Sequence, residues 1–426
     1  MYGIKDGIMN IPVVFATDEN YLFYTIVAIT SMAENANKDT YYEIYVLISG
    51  KLKTGHSLFS DVQKRYANIE IQLVPVNEEA FENVFLNNSH VTKATFYRLL
   101  LSEMLPLNKC LYLDSDIIVN IDLQELYVTD MKTEYVAGVR DLWVDLLTEI
   151  DREQRRKRTG ISSMDQYINA GVLLMNLDSI RKDDITEAFY EHMKINYLFE
   201  DQDIINVCCY DHIKRLPAKW NLFTLFMGQL DELQKHGTDE NTIKYMKEKK
   251  GIIHYATPFI RPWESERFLC NDIWWNYAIL WSQTSEYQKL KKSMQQREIG
   301  YSESNIISYC AKHDKVYIWG FTELGRKIFS MLLAGGSNNV VCFFDNDAEK
   351  QKFTYCGIKV VPFDIKDYTP EKSAIIIACQ KSGKEIQKML LRKGICEEDI
   401  VIYIYKDPIY YQCLRPEFRE GEEDHA

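Results

Sequence analysis

LYLDSDIIVN, residues 111–120, runs three apolar positions straight into two carboxylates. Leu111, Tyr112 and Leu113 read as the end of a buried strand, and Asp114 and Asp116 follow with only Ser115 between them. Two acids at i and i+2 just past a strand repel each other and lose hydration, so a cation or strong donors must neutralise them. Hard oxygen ligands suit Mg2+ or Mn2+. The plainer reading is a turn, with Asp116 capping it and Asp114 on backbone amides or in water. A bare D-x-D pair on its own favours that plainer reading.

Working outward, short apolar runs alternate with helical periodicity. IPVVFAT (11–17), EIYVLIS (43–49), IEIQLVPV (69–76), residues 110–113, 135–139 and 171–175 read as strands. Helical spacing covers residues 21–36, 55–67 and 95–104. This order predicts an α/β fold with a mostly parallel sheet covered on both faces. Ligands of such sheets bind beyond the carboxyl ends of strands, so Asp18, Asp114 and Asp116 should open onto one rim.

At 426 residues the chain is longer than one core usually serves, so two domains are expected. A formal charge of −12, from 62 acidic and 50 basic residues, argues against nucleic acid as a partner. The ten cysteines form no C-x-x-C pair, and the apolar runs are strand-sized rather than membrane-spanning. With no secretory leader recognised at the amino end, a cytoplasmic protein without a membrane span is expected.

Six ordered blocks add context: FATDENY (15–21), TFYRLLLSEMLP (95–106), CLYLDSDIIV (110–119), YINAGVLLMNL (167–177), FEDQDIIN (199–206) and IIHYATPFIRPW (252–263). In order and spacing, over about the first 265 residues, the chain resembles glycosyltransferase family 8, the group that includes bacterial lipopolysaccharide galactosyltransferases, glucosyltransferases and glycogenin. The resemblance implies a GT-A-type nucleotide-diphospho-sugar transferase domain with a mixed, mainly parallel sheet. It also implies retaining transfer of a hexose, glucose or galactose, from a UDP-sugar to a glycan, glycolipid or glycoprotein. Asp114 and Asp116 would ligate Mn2+ or Mg2+, with His254 as third protein ligand. Ala16, Asp18, Asn20 and Tyr21 would hold the nucleoside, Arg98 the sugar and the D-x-D region, and Asn169 and Ala170 the donor sugar. Asp201 and Gln202 would lie nearest the anomeric carbon, with Asp203 as an alternative carboxylate and Asp141 on a sugar hydroxyl. The last block departs from the family's usual glycine and Lys-Pro-Trp ending; Arg261 takes the place of the lysine and would grip the diphosphate.

After residue 264 the character changes. Trp274, Trp275 and Trp281 read as packing residues beside a charged helical run. The expected organisation is a catalytic domain over 1–280, a helical connector over 281–312, a Rossmann-like α/β domain over 313–405 and an acidic tail over 406–426. In the Rossmann-like segment Gly320 and Gly325 fit the first and third glycines of G-x-G-x-x-G, but Thr322 replaces the middle one, and Asp345 falls where a ribose-binding acid would. A structural or partner-binding module is preferred to a dinucleotide site. Two rival functions follow, a non-catalytic UDP-sugar-binding protein and a nicotinamide-linked oxidoreductase, and homo-oligomerisation stays open.

Overall fold

The computed structural model describes residues 4–5, 7–49, 56–86, 92–256, 261–369, 372–379, 382–403 and 413–415. Contacts divide the chain into two compact units, Met1–Ile260 with Asp272–Leu280, and Arg261–Asn271 with Trp281–Ala426. Most of the expected acidic tail lies outside the described residues.

The first unit carries β1 (Ile4–Lys5), β2 (Ile8–Thr17), β3 (Thr40–Ser49), β4 (Ile69–Val76), β5 (Cys110–Leu113), β6 (Ile117–Val119), β7 (Val136–Arg140), β8 (Ile168–Met175), β9 (Ile213–Leu216), β10 (Leu222–Phe223) and β11 (Ile252–His254). Its main sheet has the order β4-β3-β2-β5-β8-β7-β9, with β1 beside β2, and a small sheet follows the order β10-β11-β6. In the main sheet β2–β3, β3–β4, β2–β5 and β7–β9 are parallel, whereas β1–β2, β5–β8 and β7–β8 are antiparallel. The sheet is therefore mixed and mainly parallel, in a GT-A-like fold. Its central strands read as unbroken apolar runs because both faces are covered: every residue of β5 is buried, and so is all of β8 except Asn169. The helix Leu22–Glu34 is buried around most of its circumference, Thr25, Thr30 and Ser31 included.

Two elements differ from the sequence reading in ways that matter for the site. The helix expected over 95–104 begins as a 3-10 coil, Lys93–Leu100, and becomes α only at Leu101–Met104. Arg98 Nε donates to the Thr95 carbonyl at 3.0 Å, an acceptor that an α-helix would give to the N–H of residue 99. Strand β8 runs against β5, so the beginning of β8, not its end, reaches the rim beside Asp114.

The second unit contains the helices Ser285–Ile299 and Glu303–Cys310 and the strands β12 (Lys315–Trp319), β13 (Val340–Phe344), β14 (Thr354–Tyr355), β15 (Ile358–Val361), β16 (Ser373–Ile377) and β17 (Ile400–Ile402). Its sheet order is β14-β15-β13-β12-β16-β17, all parallel except β14. Counting the five parallel strands in chain order gives 3-2-1-4-5, the sequence of a doubly wound sheet with its switch point between β12 and β16.

Candidate active site

Strand register assembles the first unit's rim. Val13 and Val14 of β2 pair with Leu111 and Tyr112 of β5, so the loops after these two strands leave side by side. Ser115 ties them, its hydroxyl reaching the Ala16 carbonyl at 3.3 Å and the Thr25 hydroxyl at 2.8 Å. From the other side the Asp114 N–H donates to the Gly171 carbonyl at 2.8 Å. The third strand arrives from far along the chain: Ile117 of β6 faces His254 of β11, and the Tyr255 N–H donates to the Asp116 carbonyl at 3.0 Å. Gly251 makes that approach feasible, because at its φ of +154° a Cβ would stand 2.0 Å from the Lys219 carbonyl oxygen.

Asp114, Asp116 and His254 thereby offer ligand atoms that all lie within 4.8 Å of one another. His254 Nε2 stands 3.3 Å from Asp116 Oδ1 and 3.9 Å from Asp114 Oδ2. Its Nδ1 is 2.8 Å from Asn221 Oδ1, so Nδ1 carries a proton. A cation placed between Nε2 and the two carboxylates would satisfy the lone pair that remains. The donor set, one imidazole and two carboxylates with a hydrogen-bonded far nitrogen, fits a divalent metal. Neither Asn221 nor Gly171 was singled out from the sequence. The one available signal was a glycine inside an apolar strand, which marks a close approach: a Cβ on Gly171 would meet His254 Cε1 at 2.2 Å and Asp114 Oδ2 at 2.8 Å.

Arg98 joins this cluster to the next. Arg98 is 4% exposed, and its guanidinium donates to Asp114 Oδ1 at 2.8 Å and to the Ala170 carbonyl at 2.5 Å and lies over the Tyr112 ring at 4.3 Å. Burial alone would lower the pKa of Arg98, but Asp114 and Asp201 outweigh it and raise it further. Arg98 Nε is also 3.0 Å from Asp201 Oδ2. Because its hydrogen points at Thr95, this is a contact of charges without a hydrogen bond, and Asp201 Oδ2 is a buried acceptor lacking a donor. Burial pushes the Asp201 carboxyl up to about 7, although Arg98 pulls the other way.

Asp201 and Gln202 open the helix Glu200–Cys208, and Glu200 just before them has a positive φ of 35°. All of Gln202's amide is engaged. Its Oε1 accepts from Asn169 Nδ2 at 2.9 Å and from the Ala170 N–H at 3.1 Å, while Nε2 donates to Asp141 Oδ2 at 2.9 Å and to the Tyr167 hydroxyl at 3.3 Å. Asp141 is buried, which raises its carboxyl pKa, and its other oxygen accepts the Trp143 N–H at 3.0 Å. Asp203 turns away from this group. It accepts from the Tyr167 hydroxyl at 2.5 Å and the Phe199 N–H at 2.9 Å, with Arg155 at 3.5 Å, so it acts as an internal tie at the start of the helix.

On the neighbouring loop Asp18 Oδ1 accepts the N–H groups of Asn20 and Tyr21 at 2.8 and 3.0 Å, shaping the turn into the helix Leu22–Glu34. Asn20 is exposed, Ala16 and Tyr21 are half-buried, and Tyr21 meets Tyr24 edge to face at 5.3 Å. Arg261 belongs to the second unit. There it lies 5.6 Å from the Trp263 ring and, with Arg297 and Lys384, holds the Glu264 carboxyl below its usual range against the opposing effect of burial. Trp274 is fully buried against Trp275 at 5.0 Å.

At the switch point of the second unit, Thr322 is the N-cap of the helix Glu323–Ala334, accepting the Gly325 N–H at 3.1 Å. Asp345 Oδ2 accepts the Phe321 N–H at 2.8 Å and faces Lys350 at 3.2 Å. Side chains of the unit itself thus occupy amides of the loop that would cradle a pyrophosphate.

Two family models match separate stretches of the chain. The chain is 25% identical over 269 residues to general stress protein A of Bacillus subtilis, covering 61% of this chain and 89% of that one. It is 27% identical over 271 residues to a lipopolysaccharide 1,2-glucosyltransferase of Escherichia coli, covering 61% and 73%. The crystal structure of galactosyltransferase LgtC in complex with donor and acceptor sugar analogs aligns with a TM-score of 0.50 at 26% identity, over 66% of this chain and 96% of that one. Residues 312–401 match a second model, C2185-like, N-terminal. The model for glycosyl transferase family 8 matches residues 12–267, more than half of the sequence, and the chain belongs to that family.

Proposed function

We propose that the first unit transfers glucose or galactose from a UDP-sugar to a hydroxyl of a glycan, glycolipid or glycoprotein, retaining the anomeric configuration. The observation that carries this reading is His254 Nε2 turned toward two carboxylates at 3.3 and 3.9 Å. Asp114, Asp116 and His254 would hold Mn2+ or Mg2+, which when bound would neutralise charge on the departing diphosphate. Family membership and the sugar-transfer names of two relatives support the substrate class.

The remaining roles fall to the chain's own side chains. The loop of Ala16, Asp18, Asn20 and Tyr21 takes the nucleoside, and Asn169 and Ala170 border the donor sugar. Asp201 Oδ2, buried and without a donor, accepts a sugar hydroxyl. Arg98 lies between Asp114 and Asp201 and sets its positive charge against both. Gln202 is a poor nucleophile, because both lone-pair directions of Oε1 already receive N–H groups. This favours a front-face route in which Gln202 and Asp141 position the sugar and the leaving phosphate takes the acceptor's proton. No disulfide joins any of the ten cysteines, all of them among the described residues, which suits a reducing, cytoplasmic setting. The second unit is a Rossmann-like structural or partner-binding module.

The test is release of UDP from a panel of UDP-sugars in Mn2+, read by mass spectrometry of the products. Turnover that disappears in Asp116→Ala is expected; no turnover with any donor would overturn the reading.

A further inference from the structure

Asn221 lies between the 3-10 turn Ala218–Trp220 and β10 and is 1% exposed. Its two polar side-chain atoms bind two different elements of the site. Oδ1 faces His254 Nδ1 at 2.8 Å, and Nδ2 donates to Asn169 Oδ1 at 3.0 Å. The orientation of these amides is fixed at the far end by groups that can only donate. The Gly171 N–H is 2.9 Å from Asn169 Oδ1, and the Ala170 N–H is 3.1 Å from Gln202 Oε1. Asn169 must therefore show its oxygen to Asn221, and Asn221 its NH2 group to Asn169. The oxygen of Asn221 is left for His254, whose Nδ1 must carry the proton. A flipped Asn221 would set oxygen against oxygen and NH2 against the ring N–H.

We infer that Asn221 is the positioning residue that fixes the tautomer of His254, leaving the Nε2 lone pair aimed at Asp114 and Asp116, and that it joins this imidazole through Asn169 to Gln202. The inference rests on reading the cluster as a cation site. A neutral histidine whose Nδ1–H has a fixed acceptor is a better Nε2 ligand than one free to exchange tautomers. The chain of contacts ends on Asp141, which accepts from Gln202 at 2.9 Å. One run of amides thus orients both the ligand and the residues proposed to face the sugar.

The experiment uses the full chain labelled with 15N-histidine, metal-free, with His254 assigned by its loss in His254→Gln. Long-range 1H–15N correlation should show the Nδ1–H tautomer. Asn221→Leu removes the acceptor at similar volume; it should shift His254 toward the Nε2–H form and weaken Mn2+ binding, followed by EPR of free Mn2+, about 10- to 100-fold. Asn221→Asp keeps an acceptor for the Nδ1–H and should keep the tautomer, while its second oxygen, set against Asn169 Oδ1, breaks the link to Asn169. Retention of the Nδ1–H form and of full affinity in Asn221→Leu would overturn the inference, as would loss of the Nδ1–H form in Asn221→Asp. Asn221→Ala replaces the leucine variant if that does not fold. Wild-type protein that binds no Mn2+, with the tautomer shift still present in Asn221→Leu, would overturn the cation reading and leave the role of Asn221 standing.

Discussion

Gly171 stands against His254, so close that a single methyl group there would fall 2.2 Å from Cε1. The neighbours cannot yield cheaply, because Ile117 and His254 are in register and the ring is pinned by Asn221. Gly171→Ala should therefore displace His254 from the two carboxylates. We expect Mn2+ affinity and UDP release to fall at least about 100-fold, while strain of about 1–3 kcal/mol leaves the protein folded. Calorimetric Mn2+ titration and a denaturant melt on one preparation check both halves; undiminished binding would contradict the geometry.

Arg98 compensates a buried carboxylate, Asp201, and a half-buried one, Asp114, at once. Arg98→Ala strands Asp114 and Asp201, and removing one partner of such a group costs about 3–5 kcal/mol. Arg98→Lys restores the charge but not the fork that reaches Thr95, Ala170 and Asp114 together, so an intermediate loss in urea unfolding is expected. Mn2+ should partly restore Arg98→Ala, since the cation compensates Asp114. Equal stability of the lysine and wild-type proteins would refute the role of the fork.

Asp201 makes stability depend on pH. Burial pushes its carboxyl up to about 7 in the folded protein, from an ordinary value of 3.8. Below the lower value both states are protonated and nothing is lost. Between the two, the unfolded chain ionises first, so the folded state loses ground as pH rises, by about 1.4 kcal/mol per unit of separation. The loss is complete above the folded value. Asp201→Asn removes this slope, so its stability relative to wild type, metal-free, should climb between about pH 4 and 7 and then level off. A difference that stays flat across that range would show that Asp201 is ionised throughout.

What the sequence disclosed follows from how far each signal reaches. Strands β4 and β5 match their expected ends because an apolar run, broken by polar residues, is a local feature. The first five blocks marked Asp114, Asp201 and Gln202, and the fold does bring these together through Arg98 and the amides of β8. The direction of β8 was hidden, since alternation along the chain says nothing about which end of a strand enters the sheet. Asn221 was hidden for another reason. An asparagine in a loop has no periodicity, and its importance appears only when β10 and β11 pair and carry it to His254.

The switch point of the second unit leads to the last prediction, which concerns nicotinamide dinucleotides. A pyrophosphate at such a loop needs free N–H groups and a small middle residue. Here the Phe321 N–H is held by Asp345 at 2.8 Å and the Gly325 N–H by Thr322 at 3.1 Å, while the Thr322 hydroxyl also donates to the Ala378 carbonyl at 3.2 Å. An entering phosphate would have to displace the Asp345 carboxylate, which would itself repel the incoming charge. Titration of the full chain with NADH should leave the nucleotide's fluorescence unchanged. Thr322→Gly alone should not create binding, because the contact from Asp345 to Phe321 survives it. Saturable enhancement in the wild-type protein would mean that the loop's own side chains can be displaced, and the oxidoreductase reading would have to be reopened.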